Sequence, residues 1–510
     1  MTNLTIAWIS LPFLIGFVIY LLPQFSRWLA LLIPIVSAAY AVQIFLLGSF
    51  LEVQLLDSFG VTLMVDRLSA WFILTDALVT LSVIFYCWQT GKKSSLGARS
   101  LASYADAGSH RFFYMQLVIL HGSVNAAFVC ADFISLYVAL EVISIAAFLL
   151  IAYARSDRTI WVGLRYLFVS NTVMLFYLIG AVLVYKANNS FAYQGLLGSP
   201  PEAIALIFLG LLAKGGVFVS GLWLPLTHSE SATPVSAMLS GIVVKTGVFP
   251  MLRCAMLLPE IEPTVRIFGV ASALLGVSYA IFQQDSKRTL AFSTVSQLGF
   301  VLAAPAVGGF YAFTHGIAKS SLFLIAGNLP SRSFAELRSR GIDLKLRLPL
   351  ALASLSVCGF PLAAGFGAKV WMGENLLSWQ KLIINIATVG TVMTYAKFIF
   401  LPRPELASSG NAAKQTTKIQ SGLWWAMVIL LGGLIIGNAV YPEAYALKNL
   451  VKPLVTISIG WLVYLLLLRK LVIKLPRAIE QFEHLIGGMS TILILVFWMV
   501  QTQANVLSHF

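Results

Sequence analysis

Charge is scarce in this 510-residue chain: Asp, Glu, Lys and Arg make up 11% of it, against about 25% in an ordinary soluble domain. Cysteine is scarcer still. The four present, Cys87, Cys130, Cys254 and Cys358, lie far apart in apolar stretches with no C-x-x-C pair. A disulfide framework, a zinc site and an iron–sulfur site are therefore not encoded, and the cysteines read as small core residues. Long polar linkers are missing too. The longest polar interruptions are 89–111 (with Lys92, Lys93 and Arg99), 329–347 (Arg332, Arg338, Arg340, Lys345, Arg347) and 403–420, each too short for a domain. The first apolar run, 4–22, has no basic residue before it and no small-residue cleavage site after it, so it reads as a retained span. A soluble enzyme is excluded.

What fills the chain is apolar: 59% hydrophobic residues and a mean hydropathy of +0.88. A bilayer span needs about 20 such residues. Sixteen stretches qualify, near 4–22, 28–50, 67–88, 112–130, 133–153, 161–185, 202–224, 234–258, 265–284, 289–305, 307–328, 348–376, 382–402, 422–441, 454–473 and 486–505. The fold class is an all-α, polytopic membrane protein. Twenty-one Lys and Arg fall in the odd-numbered loops and six in the even-numbered loops and N-terminal tail. The positive-inside rule then makes the odd loops cytoplasmic and sets both termini outside. The net charge of +14 is facial asymmetry, and no nucleic-acid partner is needed to explain it. Residues 474–485 are amphipathic, with Arg477, Glu480, Glu483 and His484 on polar positions; they fit a surface-lying helix and an ordinary solvated one equally.

Seven basic residues remain inside the spans. Arg165, Arg253 and Lys397 lie close enough to span ends to snorkel to the headgroups. Lys214, Lys245, Lys319 and Lys369 are central, where insertion costs about 2.5–3.5 kcal/mol each. Their acidic company is Glu141 and Asp76, with His315 one turn before Lys319. Static buried ion pairs are the plain explanation, but four lysines and a histidine outnumber two acids. Some lysines must be neutral or hydrated, as a proton or ion path requires.

Helix-breaking residues flank two of these lysines. Lys214 is followed by Gly215, Gly216, Gly221 and Pro225, and Lys369 is preceded by Gly359, Pro361, Gly365 and Gly367. Both segments are candidate broken helices, since unwound backbone at membrane depth survives only where protein or water satisfies it. Two such segments in two halves of a chain point to repeats around a midplane ion path. Close helix packing would also use these glycines.

Five stretches carry a resemblance: ADFISLYVALEVISIAAFLLI (131–151), WLPLTHSESATPVSAMLSGIVVKTGVFPMLR (223–253), STVSQLGF (293–300), HGIAKSSLFLIAG (315–327) and GFPLAAGFGAK (359–369). In type and order they resemble the antiporter-like membrane subunits shared by respiratory complex I and the multisubunit Mrp-type Na+/H+ antiporters, the D-type subunit of the latter in particular. The resemblance covers roughly 60–440. It implies about fourteen core helices with two inverted five-helix repeats, each containing a broken helix, so the chain divides into 1–111, 112–258 (first repeat), 259–402 (second repeat) and 403–510. About two further C-terminal helices follow the core.

Carried over position by position, the resemblance makes Glu141 the fifth-helix glutamate, Lys214 its broken-helix partner and Lys245 the eighth-helix relay lysine. His315 and Lys319 become the eleventh-helix relay and Lys369 its terminal lysine. Asp76 receives no role from it; a cation site, a lysine of a neighbouring subunit and a local hydrogen bond all fit. The chain departs from the family's usual WLPD at Leu226. The implied function is proton and cation translocation, with H+ and Na+ as ions and other membrane subunits and the lipid bilayer as partners. The setting is a bacterial-type plasma membrane or another energy-coupling membrane. The Mrp type leads; a proton-pumping subunit of an NAD(P)H-quinone oxidoreductase and a subunit of a bicarbonate-uptake or membrane hydrogenase complex are the alternatives. No cofactor is expected, because nothing resembles a flavin, nicotinamide or iron–sulfur site.

Overall fold

The structure, a computed structural model, describes residues 2–48, 50–56, 60–88, 107–403, 419, 421–471, 473, 475–476 and 480–507. Lys92, Lys93, Arg99, Arg477 and most of 403–420 lie outside them. In chain order the helices begin with α1 (Thr2–Leu21), α2 (Ser26–Leu47), α3 (Arg67–Cys87), α4 (Ala107–Ala127), α5 (Phe133–Ile151) and α6 (Asp157–Asn188). The middle holds α7 (Pro201–Lys214), α8 (Leu224–Glu230), α9 (Thr233–Met238), α10 (Lys245–Leu257), α11 (Glu262–Phe282), α12 (Ser286–Ala303) and α13 (Gly308–Ala326). Then come α14 (Phe334–Arg340), α15 (Leu344–Cys358), α16 (Gly365–Glu374), α17 (Ser378–Ile399), α18 (Ser421–Ile436), α19 (Leu447–Val463) and α20 (Phe482–Leu507).

Each of the sixteen expected segments holds helix. Among the described residues twelve helical stretches are long and apolar enough to cross a membrane, or thirteen if α12 and α13, bent by 107° at their junction, count as one. The protein is an integral, multi-pass membrane protein. Apart from α4, which also falls short, the shortfall has a physical cause. All of α12, with its Ser, Thr and Gln side chains, and all of α13 are buried inside the bundle, so neither needs lipid-compatible faces. The twelfth segment is interrupted, leaving α15 and α16 individually short of a span. The rim is the opposite: α1, α2 and α18 to α20 expose large apolar side chains such as Leu46, Ile436 and Leu447, a surface suited to acyl chains rather than water.

One element departs from the all-helical expectation. Between α2 and α3 a two-stranded antiparallel hairpin pairs β1 (Leu51–Leu56) with β2 (Gly60–Val65). It caps the bundle through Met64 N–H to the Val129 carbonyl and Ala131 N–H to the Thr62 carbonyl. Asp132 secures the corner twice, accepting from Thr62 N–H at 2.8 Å and capping α5 through Ser135 N–H at 2.7 Å.

Three basic residues read as snorkelling do not snorkel. Arg253 is buried and paired with Asp66, the N-cap of α3, and it also donates to Ser69. The ammonium of Lys397, 5% exposed, donates to the carbonyls of Ala280 (3.0 Å) and Gln283 (2.8 Å) at the end of α11, where a cation offsets the helix dipole. Half-buried Arg165 donates to the backbone carbonyl of Glu480. Each has an acceptor supplied by another part of the protein. Glu480 itself, placed on a polar face by the sequence, is buried against Arg288 at 2.5 and 2.7 Å and ties the approach to α20 onto α12.

Candidate functional site

Lys214 is the last residue of α7, and the helix breaks immediately after it. Gly216 turns left-handed (φ +64°), Phe218 follows at φ +54°, and a short 3-10 turn, Phe218–Gly221, leads on to α8. A left-handed Phe is strained by about 1–3 kcal/mol; its N–H is held by Ser272 Oγ at 2.9 Å. α10 reaches the break because residue 247 is glycine, where a Cβ would sit 2.2 Å from the Gly215 nitrogen. The Lys214 ammonium, released at the broken end, crosses to α5 and donates to the Leu140 carbonyl (3.2 Å) and to Ser144 Oγ.

Those acceptors flank Glu141. The carboxylate lies on the face of α5 that also carries exposed Val138 and Ile145, it is half-buried, and its Oε1 is buried without a hydrogen-bond donor. No Glu141–Lys214 ion pair within 4.0 Å exists in this arrangement. The pairing implied by the resemblance therefore appears here as two neighbours, with the ammonium engaged by other acceptors.

The second break lies in the twelfth segment. α15 ends at Cys358, Gly359 adopts φ +82°, and α16 begins at Gly365, four residues before Lys369. Glycine suits 359, where φ is positive and a Cβ would crowd Lys369 Cδ at 2.7 Å. The Lys369 ammonium has no hydrogen-bond partner among the described residues and lies 5.1 Å from the centroid of the Phe300 ring. Two cavities mark the breaks. One is lined by Tyr166, Ser170, Val173, Lys214 and Trp223; the other by Gln297, Tyr311, Thr314, His315, Ser356 and Lys369. Small, partly polar recesses of this kind suit water.

Lys245, Lys319 and His315 meet between the breaks. Lys245 follows a π-helical segment, Leu239–Val243, which turns carbonyls toward its ammonium: Gly241 accepts at 2.5 Å and Ser240 at 3.4 Å. Such π-turns are common at functional positions. Lys319 donates to the Leu290 carbonyl at 2.9 Å. At Gly316, between His315 and Lys319 on α13, an added Cβ would lie 3.4 Å from Lys245 Cε. Both nitrogens of the His315 ring are buried and without partners.

None of these lysines has a carboxylate within ion-pair distance among the described residues; every ion pair there uses arginine or histidine. An ammonium held by carbonyls and hydroxyls alone loses its proton at smaller electrostatic cost than one locked to a carboxylate.

Asp76 sits outside this row. Its Oδ2 lies 2.9 Å from His121 Nδ1 and its Oδ1 accepts from Thr80 at 3.1 Å. His121 Nε2 meets Ser37 Oγ and Asn125 Nδ2, both at 2.9 Å, and Trp8 donates to Ser37. Of the readings open for Asp76, this geometry is the local one. Sequence reasoning gives His121 no role, although it lies inside the fourth expected span. It also passed over His228 in the WLPLTH stretch, which is fully buried with both ring nitrogens unpartnered. A histidine inside an expected span was the available signal for His121; His228 falls between the seventh and eighth expected spans and carried no such signal.

Comparison with known proteins finds relatives along most of the chain. Residues 130–394 match the family model described as NADH:quinone oxidoreductase/Mrp antiporter, TM. The chain is 27% identical over 373 residues to the N-type subunit of the NADH-quinone oxidoreductase of Desulforudis audaxviator, covering 66% of this chain and 71% of the relative. It is 24% identical over 447 residues to the D-type subunit of the Na(+)/H(+) antiporter of Alkalihalophilus pseudofirmus, covering 78% and 87%. The fold is shared with a chain of the Mrp complex from Dietzia sp. DQ12-45-1b, with a TM-score of 0.72 at 19% identity, over 99% of this chain and 60% of that one.

Proposed function

This chain belongs to the NADH:quinone oxidoreductase/Mrp antiporter family of membrane subunits, and from that premise we propose that it is the proton- and cation-translocating subunit of an Mrp-type cation/proton antiporter. Supporting this is the likeness to the D-type antiporter subunit along most of both chains. The observation that carries the mechanism is the row of buried ammonium groups without carboxylate partners, bounded at each end by a broken helix and a cavity.

In this reading a proton enters near Glu141 and Lys214, passes Lys245, and leaves through Lys319, His315 and Lys369. Each lysine alternates between ammonium and amine as the cavities hydrate. The two breaks belong to two inverted repeats, 112–258 and 259–402. The odd loops face the cytoplasm, both termini face outward, and other membrane subunits complete the path, in a bacterial-type plasma membrane exchanging H+ for Na+. A proton-pumping role in a quinone oxidoreductase is the second reading, favoured by the likeness to the N-type subunit.

The test uses everted vesicles carrying the intact complex. Sodium added without NADH should drive a pH change that disappears when this chain is absent. A pH change that requires NADH and ignores sodium would select the second reading.

A further inference from the structure

Between Lys245 and Lys319 lie two hydroxyls whose hydrogen bonds run in one direction. Thr294 Oγ1 donates to the Leu290 carbonyl at 3.0 Å, and Ser240 Oγ lies 2.7 Å from Thr294 Oγ1. A hydroxyl carries one hydrogen. When Thr294 donates to Leu290, Ser240 is the donor to Thr294. The same Leu290 carbonyl accepts from the Lys319 ammonium at 2.9 Å, and the Ser240 carbonyl faces the Lys245 ammonium at 3.4 Å. Both hydroxyls and both lysines are fully buried.

The local fold brings them together. Ser240 stands in the π-helical segment between α9 and α10, Thr294 on α12 and Lys319 on α13. α13 packs tightly because residue 241 is glycine, where a Cβ would lie 2.1 Å from Ser320 Oγ. The acidic and basic groups facing this junction are Lys245, His315 and Lys319, with buried His228 on α8 close to both lysines and Asp76 on α3 engaged by His121.

We propose that Ser240 and Thr294 form a hydroxyl bridge that carries a proton from Lys245 to Lys319, joining the two halves of the path; this rests on reading both lysines as carriers. The Lys245 ammonium gives a proton to Ser240 Oγ, Ser240 passes its own hydrogen to Thr294 Oγ1, and Thr294, turning away from the Leu290 carbonyl, passes its hydrogen to the lone pair of a neutral Lys319, one water completing each end. Lys245 is left as an amine and Lys319 as an ammonium donating to Leu290. No other bond changes. Rotation of both hydroxyls then restores the starting order.

Thr294→Val keeps the side-chain shape and removes the hydroxyl, and Thr294→Ser restores it. In vesicles matched for complex content, transport per complex should fall at least about tenfold in T294V and return to more than half in T294S, with unchanged thermal stability in both. Ser240→Ala, a smaller change, should behave like T294V and serves if the valine variant assembles poorly. Full transport in T294V or S240A, or equally slow transport in T294S and T294V, overturns the bridge. Lys245→Met measured alongside separates the two failures: wild-type transport there would instead remove the carriers on which the bridge depends.

Discussion

Lys214 reaches Ser144 across the gap between α7 and α5, one helical turn beyond Glu141, rather than closing on the carboxylate itself. With acceptors at Leu140 and Ser144 as well as a nearby acid, the ammonium has two resting places. Removing the acid removes one of them. Glu141→Ala should collapse ion-driven pH change while the complex still assembles. Glu141→Asp, one methylene shorter, should keep part of it. Full transport in the alanine variant, measured with a pH-sensitive dye, would show that the carboxylate plays no part.

The Asp66–Arg253 pair ties α3 to α10 and should be visible as acid sensitivity. Burial opposes ionisation of Asp66, but Arg253 and Ser69 outweigh it and hold its carboxyl below the ordinary 3.8. A lowered carboxyl pKa stabilises the fold above the unfolded value, and that contribution is lost as pH falls through the folded one. In detergent, the Tm gap between wild type and Asp66→Asn should be full at neutral pH and close below pH 3.8. Arg253→Met, leaving a half-buried carboxylate without its partner, should cost about 1–3 kcal/mol. A gap independent of pH would contradict the pairing.

Lys397 caps the end of α11, so Lys397→Met should lower stability by up to about 2 kcal/mol and leave transport per complex nearly intact. Differential scanning fluorimetry and vesicle transport on one preparation separate the two effects. Unchanged Tm would return Lys397 to a headgroup-facing role.

The charge asymmetry of the loops predicts that a cysteine replacing Arg340 is labelled by a membrane-impermeant reagent only from the cytoplasmic side, and one replacing Lys186 only from outside. Both positions are exposed. Opposite labelling would invert the topology and the direction of the proposed path.

The sequence made the spans legible because acyl chains demand apolar length, and it made the lysines legible because charge at mid-membrane is costly and rare. Both breaks were visible as Gly and Pro beside Lys214 and Lys369. The hairpin at 51–65 was not, since alternation over two six-residue strands is a weak signal beside neighbouring spans. Nor were the partners of Arg253 and Lys397: whether a long basic side chain snorkels or turns inward depends on an acceptor supplied by a distant helix. The π-segment before Lys245 depends likewise on packing against α13 at Gly241, which spacing along one strand of sequence does not encode.

The central claim is that buried lysines between the two breaks carry protons. Lys245→Met tests it most directly, because this side chain is fully buried and its ammonium meets only carbonyls. Methionine fills similar volume without donor or acceptor. Lys381→Met, at an exposed position, is the control. In everted vesicles with matched complex levels, the account predicts ion-driven pH change near background for Lys245→Met and near wild type for Lys381→Met. Equal, full activity in both would contradict it.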